Sequence, residues 1–243
     1  MTGPILEARH VSKRLGRGAG EVHAVKDVSL ELKTGELTLL MGPSGSGKTT
    51  LLSMLGCMLT PTSGTVHVSG RSTEGAGSQE LACLRREHIG FIFQTYHLFP
   101  TLTATENVQL ALDVRGEPAD VARKAAQDAL VRVGLRQKLR SYPREMSGGE
   151  QQRVAIARAL VSGPSAILAD EPTAALDTEN GQAVMGILSD IAKEHGRGVL
   201  VVTHDTRLLP FADRILNIED GRIVREERQH RKPDLRAASS VQR

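Results

Sequence analysis

The apolar residues of this chain change their spacing twice. Up to about residue 93 they fall in short runs broken by turn residues, "ILEARHV", "VKDVSLEL", "ELTLLM", "GTVHVSG" and "HIGFIF". Such runs predict strands. From Leu102 to about Leu160 the segments "ENVQLALDVRG", "ADVARKAAQDALVRVGL" and "EQQRVAIARALV" predict helices. Val121, Ala125, Ala129 and Val133 recur at intervals of four and are expected on one buried face; Val154, Ala157 and Val161 form a similar face on the next helix. Strand texture returns in "SAILAD", "VLVVTH" and "RILNI", and Asp220-Gly221 predicts a tight hairpin before "RIVRE". The pattern implies an α/β core interrupted by a helical insert, with no internal repeat.

Between "ELTLLM" and the helical spacing of Leu51, Leu52 and Leu55 lies "GPSGSGKTT", residues 42–50. Glycines at a strand-to-helix turn let successive N–H groups converge on one spot, at the positive end of the helix. Gly42, Gly47, Lys48 and Thr49 meet the spacing of a phosphate-binding loop, with Pro43, Ser44, Gly45, Ser46 and Thr50 completing it. The ligand this predicts is a nucleoside triphosphate, with Lys48 supplying charge and the Thr49 hydroxyl facing a magnesium ion.

Farther on, "AILADEP" ends a buried run in Asp170 and Glu171. A strand end in a parallel sheet is where ligands bind. Asp170 suits Mg²⁺, and Glu171 suits the proton of an attacking water. In "MSGGEQQRVAIARAL" the spacing of Ser147 and Glu150 is that of a capping box, so one reading is simply a helix start. The two glycines that follow, Gly148 and Gly149, add a second reading, a helix tip open to an anion.

The composition narrows the class. Of 243 residues, 40% are hydrophobic and 24% charged, as in soluble globular proteins. Aromatics are 2% with no Trp, which argues against a base-stacking platform and hence against specific nucleic-acid binding. The net charge of +3 is mild, and part of it lies in "REERQHRKPDLRAASSVQR", read as a solvated basic tail, with a weak role toward nucleic acid or an anionic membrane left open. Cys57 and Cys83 lack metal-ligand spacing and read as thiols of a reducing compartment. No apolar stretch approaches the ~18 residues of a membrane span and the N-terminus lacks a signal-peptide core, so a cytoplasmic location is expected, with any membrane contact made through a partner.

Taken in order, the motifs resemble those of ATP-binding-cassette (ABC) ATPases: the phosphate loop, then Gln94 in "FIFQTYHLFP", "SGGEQ", "AILADEP", Asp177 in "AALD" and His204 in "VVTHD". Alone, Gln94 carries no signal and His204 reads as a structural histidine. The resemblance spans Ile5 to about Glu227. It implies a P-loop (RecA-like) core with an antiparallel β-subdomain and an inserted α-helical subdomain. The domain would cover 5–228, with core segments 5–94 and 164–228, the helical part about 95–163, and a flexible basic tail at 229–243. Within the family, "GEVHAVKDVSLEL" and "IGFIFQTYHLFPTLTATENV" resemble the ATPases of lipoprotein-releasing systems, macrolide exporters and the cell-division pair.

The resemblance further implies two copies placed head to tail. Each ATP would lie between Lys48 of one copy and Ser147, Gly148, Gly149 and Glu150 of the other, near Asp177. Thr49, Gln94 and Asp170 would hold Mg²⁺, Glu171 would activate water and His204 would contact the γ-phosphate. A separate transmembrane permease would dock near Thr95–Val108, placing the chain on the inner face of the membrane. Two departures stand out. Leu15 occupies the position where relatives place an adenine-stacking aromatic, and Met146 replaces the commoner leucine. An exporter or extraction ATPase leads over a mechanical ATPase regulating a periplasmic enzyme, and over a cassette acting on DNA or ribosomes.

Overall fold

The computed structural model describes residues 3–194 and 196–229. The chain opens with β1 (Leu6–Leu15), β2 (Val22–Leu32) and β3 (Leu37–Met41), then α1 (Lys48–Leu55), β4 (Ser63–Val68), β5 (Arg71–Ser72) and α2 (Ser78–His88). After β6 (Ile89–Ile92) come three successive α-helices, α3 (Ala104–Asp113), α4 (Ala119–Arg132) and α5 (Gly148–Leu160). The remainder is β7 (Ala166–Asp170), α6 (Thr178–Glu194), β8 (Gly198–Thr203), β9 (Arg214–Glu219) and β10 (Arg222–Arg228).

Two sheets result. One is antiparallel with order β2-β1-β4-β5. The other has order β10-β9-β3-β8-β7-β6, all parallel except for β10 at the edge. Strands covered on both faces are apolar throughout, and alternation sorts their side chains into two layers. Leu37, Leu39, Ile167, Ala169, Val199 and Val201 face the layer of α5 and α6. Leu40, Ala166, Leu168, Leu200 and Val202 face α1 and the antiparallel sheet. This sandwich holds the carboxyl ends of β3, β7 and β8 side by side.

Two expectations change. On α4 itself Ala122, Ala126 and Leu130 are buried; of the expected row Val133 is buried and Ala129 packs partly buried against the core, whereas Val121 is half exposed. Alanines lie on both candidate rows, and the bulk of Leu130 decides which one turns inward. The helix α2, absent from the expected elements, buries only Leu84 and so has no apolar stripe to betray it. The hairpin at Asp220-Gly221 is present, with φ of 46° and 78°, as a type I′ turn requires. Its Gly221 N–H donates to the Ser46 carbonyl at 3.0 Å, and its carbonyl accepts from Lys26 N–H at 2.7 Å. Gln229 N–H reaches the Asp213 carbonyl at 2.9 Å, and the rest of the expected basic tail lies outside the described residues.

Candidate functional site

The phosphate loop leaves β3 at Met41 and enters α1 at Lys48. Gly47 caps the helix with φ 101°, and a Cβ there would run into the Ala24 carbonyl. A Cβ at Gly42 would meet the Ile218 carbonyl. Both positions therefore exclude side chains, one by conformation and contact, the other by contact alone. Buried Lys48 donates through Nζ to the carbonyls of Gly42 and Pro43, each at 2.8 Å. Burial lowers its pKa, while the charges of Glu171 and Asp170 oppose that shift. The Ser46 hydroxyl is buried without a hydrogen-bond partner among the described residues.

Strands β7 and β8 bring the acid and the histidine. Thr49 Oγ1 donates to Asp170 Oδ1 at 3.3 Å. Burial raises the Asp170 pKa; the Thr49 hydroxyl opposes this, the Glu171 charge adds to it and Lys48 opposes it. Glu171 has φ 46°, rare for a residue with a side chain, and its N–H is tied to the Val202 carbonyl at 2.9 Å. Its carboxylate is gripped by two groups from the end of β8: His204 Nδ1 at 2.7 Å and the Thr203 hydroxyl at 3.2 Å. A backbone outlier at a polar cleft, held by several contacts, is a mark of function.

Leu15, Pro43, Ser44, Gly45, Gly47, Lys48, Thr49, Thr50, Gln94, Asp170, Glu171 and His204 line one cleft of about 850 Å³. Val22, His23, Ala24, Lys26 and the Asp220-Gly221 turn close its far side. The volume suits a nucleotide-sized ligand. The donor set is also right for Mg²⁺, a hard ion that takes one or two protein oxygens and fills its shell with water and substrate phosphate. The Thr49 hydroxyl and an Asp170 carboxylate oxygen stand adjacent, and Gln94 lines the same cleft. A second cleft of about 630 Å³, between α4, α5 and α6, contains none of the predicted site residues.

Ser147, Gly148, Gly149, Glu150 and Asp177 do not line this cleft. They gather elsewhere. Ser147 caps α5: its hydroxyl accepts from Glu150 N–H at 3.2 Å, and the Glu150 carboxylate accepts from Ser147 N–H at 2.9 Å. Both halves of the capping box are thus made, and that hydrogen bond lowers the Glu150 pKa. A Cβ at Gly149 would lie 2.5 Å from Asn180 Oδ1, and Asn180 is bonded to both oxygens of Asp177 at 2.9 and 2.8 Å. The glycines therefore admit close neighbours as well as leaving N–H groups open. Thr203 is not legible as a site residue from the sequence, because its bond to Glu171 joins positions 32 apart. No helix among the described residues is long and apolar enough to cross a membrane.

The family described as ABC transporter matches residues 25–174. Two curated relatives are the macrolide export ATP-binding/permease proteins MacB 1/2 of Paracoccus denitrificans and MacB of Burkholderia pseudomallei, each 47% identical. The matches cover 93% and 92% of this chain, which spans about a third of each relative's length, 34%. Among solved structures, the dimeric, ADP- and Pi-bound ATP-binding cassette MJ0796 is 41% identical with a TM-score of 0.84, over 92% of this chain and 98% of that one. CbiO1 of Clostridium perfringens, part of the ABC transporter complex cbiONQ, is 28% identical with a TM-score of 0.83, over 93% and 89%. The fold agrees with these matches, and the chain belongs to the ABC transporter family as an ATP-binding cassette.

Proposed function

We propose that this cassette works with Mg²⁺ as a head-to-tail dimer and drives export through a separate membrane subunit, docked near Thr95–Val108. The observation that carries the reading is the division of its motifs into two places. The cleft that takes the phosphates lacks Ser147–Glu150, so a second copy must bring that helix tip to the nucleotide. The dimeric MJ0796 structure supports this arrangement, and the export names of the MacB relatives favour transport over mechanical signalling.

In the reaction, Lys48 and the loop N–H groups hold the β- and γ-phosphates. Water attacks the γ-phosphorus, a P–O bond to ADP breaks, and the water proton passes to the Glu171 carboxylate. His204 and Thr203 keep that carboxylate aimed. Mg²⁺, held by Thr49, Asp170 and Gln94, would neutralise charge on the phosphate oxygens. The helical segment about 95–163 then carries the closing motion toward the membrane partner, from a position on the cytoplasmic face.

The test is Glu171→Gln, which keeps the shape but accepts no proton. ATP with Mg²⁺ should convert this variant to a stable dimer on size exclusion, while turnover falls by about 10²–10⁴-fold. A variant that stays monomeric beside an active wild type rules out the sandwich.

A further inference from the structure

Arg158 lies on α5, the helix whose tip is Ser147–Gly149, and its guanidinium reaches the loop that follows Gln94. It donates to the Tyr96 carbonyl at 2.7 Å and to the His97 carbonyl at 2.6 Å. Among the described residues no carboxylate pairs with it, although burial depresses its pKa. An arginine placed on two carbonyls instead of an acid uses its planar fork to fix backbone geometry. The geometry fixed is an uncommon one: Tyr96 and His97 have φ of 56° and 49°. Consecutive left-handed residues with side chains persist only where surrounding contacts impose them. A ring ladder helps, with Phe91 and Phe93 stacked at 5.6 Å and Phe93 and His97 at 4.7 Å.

Tyr96 has a second contact with the same helix. A Cβ on Gly148 would stand 2.9 Å from the Tyr96 hydroxyl, so the phenol end lies against the helix tip. Arg158 and Gly148 are ten residues apart, about 15 Å along an α-helix. Tyr96 is therefore held through its backbone by the Arg158 side chain and touches the tip of the same helix with its ring. If the loop moves, the tip must move with it or these contacts must break.

We propose that Tyr96 and Arg158 are positioning residues forming a strap that makes the placement of Ser147–Gly149 depend on the conformation of the Gln94 loop. The strap rests on the dimer reading above. Its role is to present the helix tip to the nucleotide of the second copy, so it acts on dimer closure and leaves ATP binding by the single chain alone.

The experiment uses the full chain carrying Glu171→Gln, with Arg158→Lys or Tyr96→Ala added. Lysine is shorter and donates from a single nitrogen, so it does not reproduce the spacing of the planar fork on the two carbonyls, and alanine removes the ring while keeping its carbonyl. For each, ATP affinity is measured with a fluorescent nucleotide below the dimerisation range, and the ATP concentration for half-maximal dimer by light scattering. Both additions should raise that concentration at least tenfold and shift monomer affinity less than twofold. Loss of fold alone would lower the thermal midpoint and both affinities together. If Arg158→Lys proves unstable, Tyr96→Ala decides the matter. Dimerisation at the parental ATP concentration in a folded variant overturns the strap; absence of dimer in Glu171→Gln itself overturns the dimer reading and the strap with it.

Discussion

His204 Nδ1 lies 2.7 Å from Glu171 Oε1, across the ends of two neighbouring strands. An ionised carboxylate only accepts, so the proton of this contact sits on Nδ1 and leaves Nε2 free to face a ligand. The pairing makes the orientation of the acid depend on the histidine. His204→Ala should reduce turnover by about 10–100-fold, the worth of one hydrogen bond to a charged group. ATP affinity should change far less. Phosphate release and a nucleotide titration on the same preparation test this; an unaffected rate would mean that Thr203 suffices.

Burial is the largest influence on Asp170 and raises its pKa. The folded chain therefore holds this proton to higher pH than the unfolded chain does. Stability is lost as pH rises from the ordinary aspartate value, about 3.9, through the raised one, and the loss is complete above it. Asp170→Asn should raise the thermal midpoint of the nucleotide-free protein at pH 7, and its advantage should shrink on acidification through that window. Mg²⁺-dependent hydrolysis should fall by at least about tenfold. A variant less stable than wild type at pH 7 contradicts the burial argument.

Complementation between copies separates a shared site from a self-contained one. Lys48→Ala disables the phosphate side and Ser147→Glu the helix tip, so each variant alone should be inactive. In an equal mixture, random pairing restores one intact site in half the dimers, and about a quarter of wild-type ATPase should return. Mixing that returns nothing while both variants bind their partner would show that each chain uses only its own residues.

Leu15 lines the cleft beside Val22 and His23 and is partly exposed. An aliphatic side chain covers a base without π-stacking. Leu15→Tyr should tighten ATP about fivefold, taking ~1 kcal/mol from the low end of base–aromatic stacking. Maximal rate should be unchanged, because the base is remote from the γ-phosphate and binds ground and transition states alike. Parallel titrations with ATP and GTP measure both gain and selectivity; equal affinities before and after would place another residue, Val22 or His23, over the base.

What could be read in the chain follows from how local each feature is. The phosphate loop and the Ser147–Glu150 box are set by consecutive residues, so spacing alone reveals them. Asp170 and Glu171 are legible because a buried strand ends there. Tyr96 and Arg158 are 62 positions apart, and Glu171 and Thr203 are 32 apart. Nothing in either neighbourhood announces the pairing. The α4 face was legible only in part, Val133 being buried and Val121 half exposed, for a different reason: alanine buries so little area that two rows look alike until the position of Leu130 chooses between them.

The bond from Gly221 to Ser46 has a consequence for how the cleft comes into being. Chains are made and generally fold from the N-terminus. The phosphate loop emerges long before residue 221, yet one of its carbonyls and the backbone of Lys26 both wait for that turn. A nascent chain stopped short of the β9–β10 hairpin has every residue of the proposed phosphate site and still lacks the brace behind them. Nucleotide binding by this protein is thus expected to mature late in synthesis, with the arrival of a two-residue turn.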